Sequence, residues 1–134
     1  MDNFMFNELE VASKPVVMQT ARRFSEALAE SPQFKAFEDA YQAFRQDDEV
    51  QSAYQALRSR QESLRMMMML NAVSDDERQE LAKLENQFYG IETVQRYITA
   101  QEALISLCQE VGDILSDAIG LDFGSACRVG GCCG

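Results

Sequence analysis

DEVQSAYQALRSRQESLRMMMMLNAVSDDERQELAKLENQFYG, residues 48–90, is the stretch that decides the fold. In its first half Val50, Tyr54, Leu57, Gln61, Leu64 and Met68 alternate four and three apart, the seam spacing of packed helices. The seam runs for only about three heptads and holds a glutamine, so it reads as one arm of a helical hairpin rather than a long coiled coil. Asn71-Ala72-Val73-Ser74 makes the turn. Ser74-Asp75-Asp76-Glu77 then opens a second helix as a capping box, in which serine accepts from the third helical N–H and the glutamate reaches back. Leu81, Leu84 and Phe88 carry the apolar stripe up this second arm until Tyr89-Gly90 interrupts it.

The same signals extend outward in both directions. Towards the N-terminus, Lys14-Pro15 starts a helix whose Val17, Thr20, Ala21, Phe24, Ala27 and Leu28 share one face. Ser31-Pro32 ends it and opens the next, on which Phe34, Phe37, Tyr41 and Phe44 form an aromatic face, and Gln46-Asp47-Asp48 supplies the following break. Towards the C-terminus, a helix from about Thr93 carries Val94, Tyr97, Ile98, Leu104, Ile105, Cys108, Val111, Leu115, Ala118 and Ile119. Gly120 closes it as a left-handed cap, with Leu121 as the accompanying apolar contact. No segment alternates with period two. The expected fold is all-α: about five helices, a long antiparallel helical hairpin, and a long C-terminal helix packed along it. The chain divides into an N-terminal segment (1–13), a helical domain (14–120) and a flexible glycine/cysteine tail (121–134). Helices this long outrun a small core, so a homo- or hetero-oligomer with related helical proteins is expected.

Composition excludes much of the usual chemistry. With 134 residues, 46% of them hydrophobic, the chain is about one globular domain. It has no histidine, which removes imidazole ligands, serine–histidine and cysteine–histidine pairs, and any histidine base. A net charge of −10 argues against direct nucleic-acid binding, which needs a lysine/arginine surplus. The first 14 residues carry three acids and no apolar core of a signal peptide, and the longest apolar run is Met66 to Leu70. A cytoplasmic protein without membrane insertion is the expectation. No phosphate loop and no nucleophile with a base is present, so an enzyme is not expected. Asp75-Asp76 needs only helix-start electrostatics to explain it.

The cysteines carry the remaining chemistry. Three of the four fall in the last eight residues, Cys127, Cys132 and Cys133, in a segment that also holds five of the seven glycines from Gly120 onward. The C-x4-C-C spacing, with Gly130-Gly131 between, lets three sulfurs converge, and thiolates suit zinc, copper(I) or iron–sulfur clusters. Arg128 favours the thiolate form. Incidental reduced thiols are the plain alternative. Adjacent Cys132-Cys133 cannot close an unstrained disulfide, and Gly134 with no polybasic flank speaks against lipidation. Three thiolates are one short of the usual four. The fourth ligand would come from another chain, from water or a small molecule, or from Cys108, whose register with Leu104, Ile105, Val111 and Leu115 marks it first as a buried core thiol. Met66 to Met69 points all round its helix and reads either as a helix end packed in the hairpin turn or as an adaptable contact surface. Val50 to Val73 carries a local charge of +2, and Glu92 to Asp122 one of −5. These faces attract one another or are simply solvated.

Leu28-Ala29-Glu30-Ser31 before an aromatic helix, the long hairpin, the closing Ala118-Ile119-Gly120-Leu121-Asp122-Phe123 and the cysteine tail together resemble the YlbF/YmcA family of bacterial cytosolic regulators, in its cysteine-bearing branch. That resemblance implies a non-enzymatic adaptor. Its relatives form a complex with a third protein, bind iron–sulfur clusters, and modulate an endoribonuclease in mRNA processing, with effects on competence, biofilm formation and sporulation. Carried over by position, Cys127, Cys132 and Cys133 inherit the cluster-ligand role, with the cluster shared between chains. A structural helical oligomer with a dispensable tail, or a zinc or copper carrier, are the alternatives.

Overall fold

A computed structural model describes residues 13–125. Five helices follow one another: α1 (Lys14–Ala29), α2 (Pro32–Gln46), α3 (Asp48–Met69), α4 (Asp75–Tyr89) and α5 (Glu92–Ile119). No strand occurs among the described residues.

The boundaries are set by side chains that satisfy the free N–H groups of helix starts. Ser31 Oγ accepts from Phe34 N–H at 3.2 Å and donates to the Leu28 carbonyl at 2.6 Å, closing one helix and opening the next. Asp47 Oδ1 accepts from the N–H groups of Glu49 (3.0 Å) and Val50 (3.3 Å). At α4, Ser74 Oγ accepts from Glu77 N–H at 3.2 Å, while Glu77 reaches back to the serine hydroxyl at 2.9 Å rather than to its backbone. The hairpin turn is made by Asn71 at φ 52°, a left-handed conformation that asparagine tolerates. Gly120 at φ 69° ends α5, donating its N–H to the Ser116 carbonyl at 2.9 Å.

The core is small. Its buried members are Ala40, Val50, Leu57, Leu64, Leu81, Phe88 and Val94, with Phe44, Ala53, Leu84, Ile91 and Ile98 packed half-buried against the main cluster. Val50, Leu57 and Leu64 repeat every seven residues down α3, and Leu81 and Phe88 do the same on α4. The alternate seam positions Tyr54, Gln61 and Met68 are exposed. The first ridge is buried against α4, while the second stays exposed among the described residues.

One expected contact differs. The long last helix packs along α2, not along the hairpin, and meets α4 only lightly. The aromatic face of α2 explains the choice. Tyr97 of α5 lies 5.7 Å from Phe37, 6.1 Å from Tyr41 and 4.9 Å from Phe44, ring centre to ring centre. Phe44 then meets Phe88 edge-on at 6.2 Å, which ties the α2/α5 pair to the α3/α4 hairpin. The Thr93 hydroxyl adds a polar clamp, donating to Asp47 Oδ2 at 2.7 Å.

Lengths decide what stays uncovered. α2 has 15 residues and α5 has 28, so α2 covers about half of it at 1.5 Å per residue. Val94 is the one buried residue of α5, and its last two turns carry none. α1 has no buried residue, and α2 is its one substantial neighbour among the described helices.

Candidate functional site

Cys127, Cys132 and Cys133 lie outside the described residues. Within them, no three histidine, cysteine or acidic side chains come together as a group able to hold a metal.

Cys108 corrects the sequence reading. It is exposed, not a core thiol. Its register with Leu104 and Val111 does lie on the apolar side of α5, and those two are half-buried, but by this point the helix has passed the start of α2 and Cys108 itself stays exposed. Cys108 lines an open groove of about 520 Å³ with Leu104, Ile105, Gly112, Ser116 and Phe123. The chain after Gly120 folds back to form one wall, with Phe123 N–H donating to Ser116 Oγ at 3.1 Å. Ser125 donates to Asp122 through its hydroxyl (2.5 Å) and N–H (3.4 Å), starting another helical turn. Leu121 is 61% exposed, so the apolar contact expected beside the glycine cap is not made.

The methionine run also takes the exposed alternative. Met66 to Met69 are 45–75% exposed and Leu70 is 74% exposed, so the hairpin tip presents flexible apolar side chains to solvent. Beneath them Met68, Val73 and Leu81 border a cavity of about 170 Å³ with Arg78 and Asn71 at its edge. Arg60 pairs with Glu80 across the hairpin at 2.9 Å, holding the two arms in register.

The Asp47 clamp is electrostatically tuned. The Thr93 hydroxyl first, then the Val50 and Glu49 N–H groups, hold its carboxyl below the usual carboxylate range. That carboxylate joins the start of α3 to the start of α5.

A third uncovered face lies on α1. Val17 and Phe24 of its apolar stripe, with Val16 and Met18 beside them, are 45–54% exposed. Periodicity gave the stripe itself; nothing in it signals whether another helix covers it. No described helix is long and apolar enough to cross a membrane.

The family model described as "Control of competence regulator ComK, YlbF/YmcA" matches residues 17–120, from the first helix to the glycine that ends the last. No curated protein matches the chain significantly.

Proposed function

The chain belongs to the YlbF/YmcA family of competence-control regulators, and on that premise we propose that it is a non-enzymatic adaptor acting through protein–protein assembly. Uncovered apolar surface is the observation that carries this reading. Among the described residues, seven buried hydrophobic side chains stand against eighteen large hydrophobics left exposed, fifteen of them on α1, the hairpin tip and the far end of α5 with the turn after it. Exposed apolar side chains gathered in this way favour partner contact over a finished monomer.

The finer reading follows the family: the chain supports endoribonuclease-dependent mRNA processing, and through it cell-fate decisions. The tail thiolates of Cys127, Cys132 and Cys133 would hold an iron–sulfur cluster. Thiolates are the donors such clusters take, and three from one tail are one short of the usual four, which favours a cluster shared between chains. In this reading the cluster ties tails together, and the helical body supplies partner contacts.

Anaerobic purification tests the tail. Iron and sulfide in equal amounts, with thiolate-to-iron absorption lost in Cys127→Ser, Cys132→Ser and Cys133→Ser, supports the cluster. A colourless, iron-free protein that still assembles fully refutes it, and zinc or copper in its place selects the carrier reading. Truncation after Phe123 tests the body: unchanged transcript processing in cells makes the chain a structural oligomer with a dispensable tail. Processing that is unaffected by removing the whole chain refutes the adaptor role.

A further inference from the structure

We propose that oxidation straps the chain's own cysteine tail across the α5 groove, with Cys108 bonded to one of Cys132 and Cys133 and Cys127 bonded to the other.

Cys108 is the fixed half of this strap. It is exposed, sits on a helix, and lines the groove of about 520 Å³ with Leu104, Ile105, Gly112, Ser116 and Phe123. The other three thiols follow directly from the groove's wall. Phe123 N–H donates to Ser116 Oγ at 3.1 Å and Gly124 lines the same groove, so residues 126–134 begin beside it. Ser116 lies eight residues past Cys108, about 12 Å along α5. Nine residues lead from Phe123 to Cys132, a reach of up to about 30 Å. The tail therefore crosses the groove with chain to spare. Gly130-Gly131, just before the cysteine pair, permits the turn that brings a sulfur onto a fixed helical thiol.

Thiol parity decides the pairing. Adjacent Cys132 and Cys133 close only a strained ring, so the tail by itself makes one disulfide, from Cys127, and leaves one of the two neighbours over. Cys108 is the fourth thiol of the chain and can take the one left over. Both resulting patterns lay the tail over Ile105 and Phe123, which are 48% and 41% exposed. A segment tethered to the groove's own wall meets it at an effective concentration in the millimolar range, which favours this occupant over a free partner. In each bond hydrogen peroxide oxidises one thiolate to a sulfenic acid, releasing water. The second thiolate attacks that sulfur and expels hydroxide, which leaves as a second water. Two thiols thus lose two electrons and two protons for each peroxide reduced. Disulfides of this kind in an intracellular protein are redox-sensing rather than structural.

This inference goes beyond the adaptor reading and needs no cluster. The test uses the full chain, reduced, freed of metal by chelation, kept dilute, and treated with about two equivalents of hydrogen peroxide. The product should be a single chain about 4 Da lighter, with Cys108 bonded to Cys132 or Cys133 by peptide mapping and no thiol left to alkylate. Cys108→Ser should lose only about 2 Da and keep one thiol that alkylates or links two chains. Adding Glu110→Cys to Cys108→Ser places the thiol about 200° round the helix and outside the groove lining, and should close the second bond at least about tenfold more slowly than wild type. An oxidised wild type whose Cys108 still alkylates, or whose bonds join different chains, overturns the inference. Equally fast closure from Glu110→Cys overturns it too, since the groove then has no part in guiding the tail. Failure of the adaptor reading is seen separately, in transcript processing, and failure of the cluster in anaerobic iron content; neither alters the disulfide map.

Discussion

Phe88→Ala removes the side chain on which the two halves of the fold meet. Phe88 is 7% exposed and belongs to the cluster of Val50, Leu57, Leu81 and Val94. Its ring lies 6.2 Å from Phe44 of α2, 5.8 Å from Tyr54 of α3 and 5.1 Å from Tyr89 of its own helix. Truncating a buried phenylalanine costs about 3–5 kcal/mol in lost transfer energy and residual cavity. The surrounding helices are held by few other buried groups and cannot all collapse inward, so a loss of about 4 kcal/mol is expected. Domains of this size are stable by about 5–15 kcal/mol, and a core of seven buried hydrophobics places this one near the lower bound. The variant should therefore lose roughly 12–20 °C in Tm, or be unfolded at 37 °C. Phe88→Leu refills most of the space and should lose about 1–2 kcal/mol. Met69→Ala, at a side chain 75% exposed, should stay within about 0.5 kcal/mol of wild type. The assay is thermal and urea unfolding followed by circular dichroism, with all variants at one protein concentration, because any self-association makes Tm concentration-dependent. A loss below about 1 kcal/mol for Phe88→Ala would refute the reasoning and mean that α2/α5 and α3/α4 hold together without the aromatic link.

Two glycines of α5 should respond with opposite sign. Alanine at Gly112 meets nothing within 4 Å and should stabilise the helix by about 0.5–1 kcal/mol, whereas at Gly120, equally open but at φ 69°, alanine should destabilise by about 1 kcal/mol; unfolding midpoints check both. Asp47 should make part of the stability acid-labile. Its folded-state carboxyl titrates below the ordinary value of 3.8, so its contribution is complete above that value and is lost as pH falls through the lower folded one. The Tm gap between wild type and Asp47→Asn should accordingly hold at neutral pH and narrow as the pH falls below 3.8, and Thr93→Val should narrow it at neutral pH. Ser74→Ala removes the α4 cap and should cost about 1 kcal/mol, read in the same unfolding series.

Local chemistry made the helices legible. Pro15, Ser31-Pro32, Asp47, Ser74 with Glu77, and Gly120 each act within one turn of the backbone, so their effect is written in adjacent residues. Every boundary they mark is where the chain turns. Packing partners are a different kind of information. Tyr54, Gln61 and Met68 share the seam spacing with Val50, Leu57 and Leu64, yet only the second set is buried. The spacing says that both ridges face one side of α3; whether one or two helices lie there depends on segments far along the chain. The same limit hid the partner of α5, which Phe37, Tyr41 and Phe44 decide through Tyr97.

Cys108 shows how this limit bears on function. An apolar register is a statement about free energy: the stripe is better out of water than in it. It does not say that the same chain provides the cover. Along α5 the stripe is continuous from Val94 to Ile119, while the cover stops where α2 begins, at Pro32. Before that point Val94 is buried and Tyr97 and Ile98 are half-buried, while beyond it Cys108, Leu115 and Ile119 are exposed, although their sequence pattern is the same. Beyond that point Ile105, Leu115 and Ile119 are 39–53% exposed, apolar area that no described helix buries. The exposed apolar surface is thus written in the mismatch between helix lengths, 28 residues against 15, rather than in any one motif.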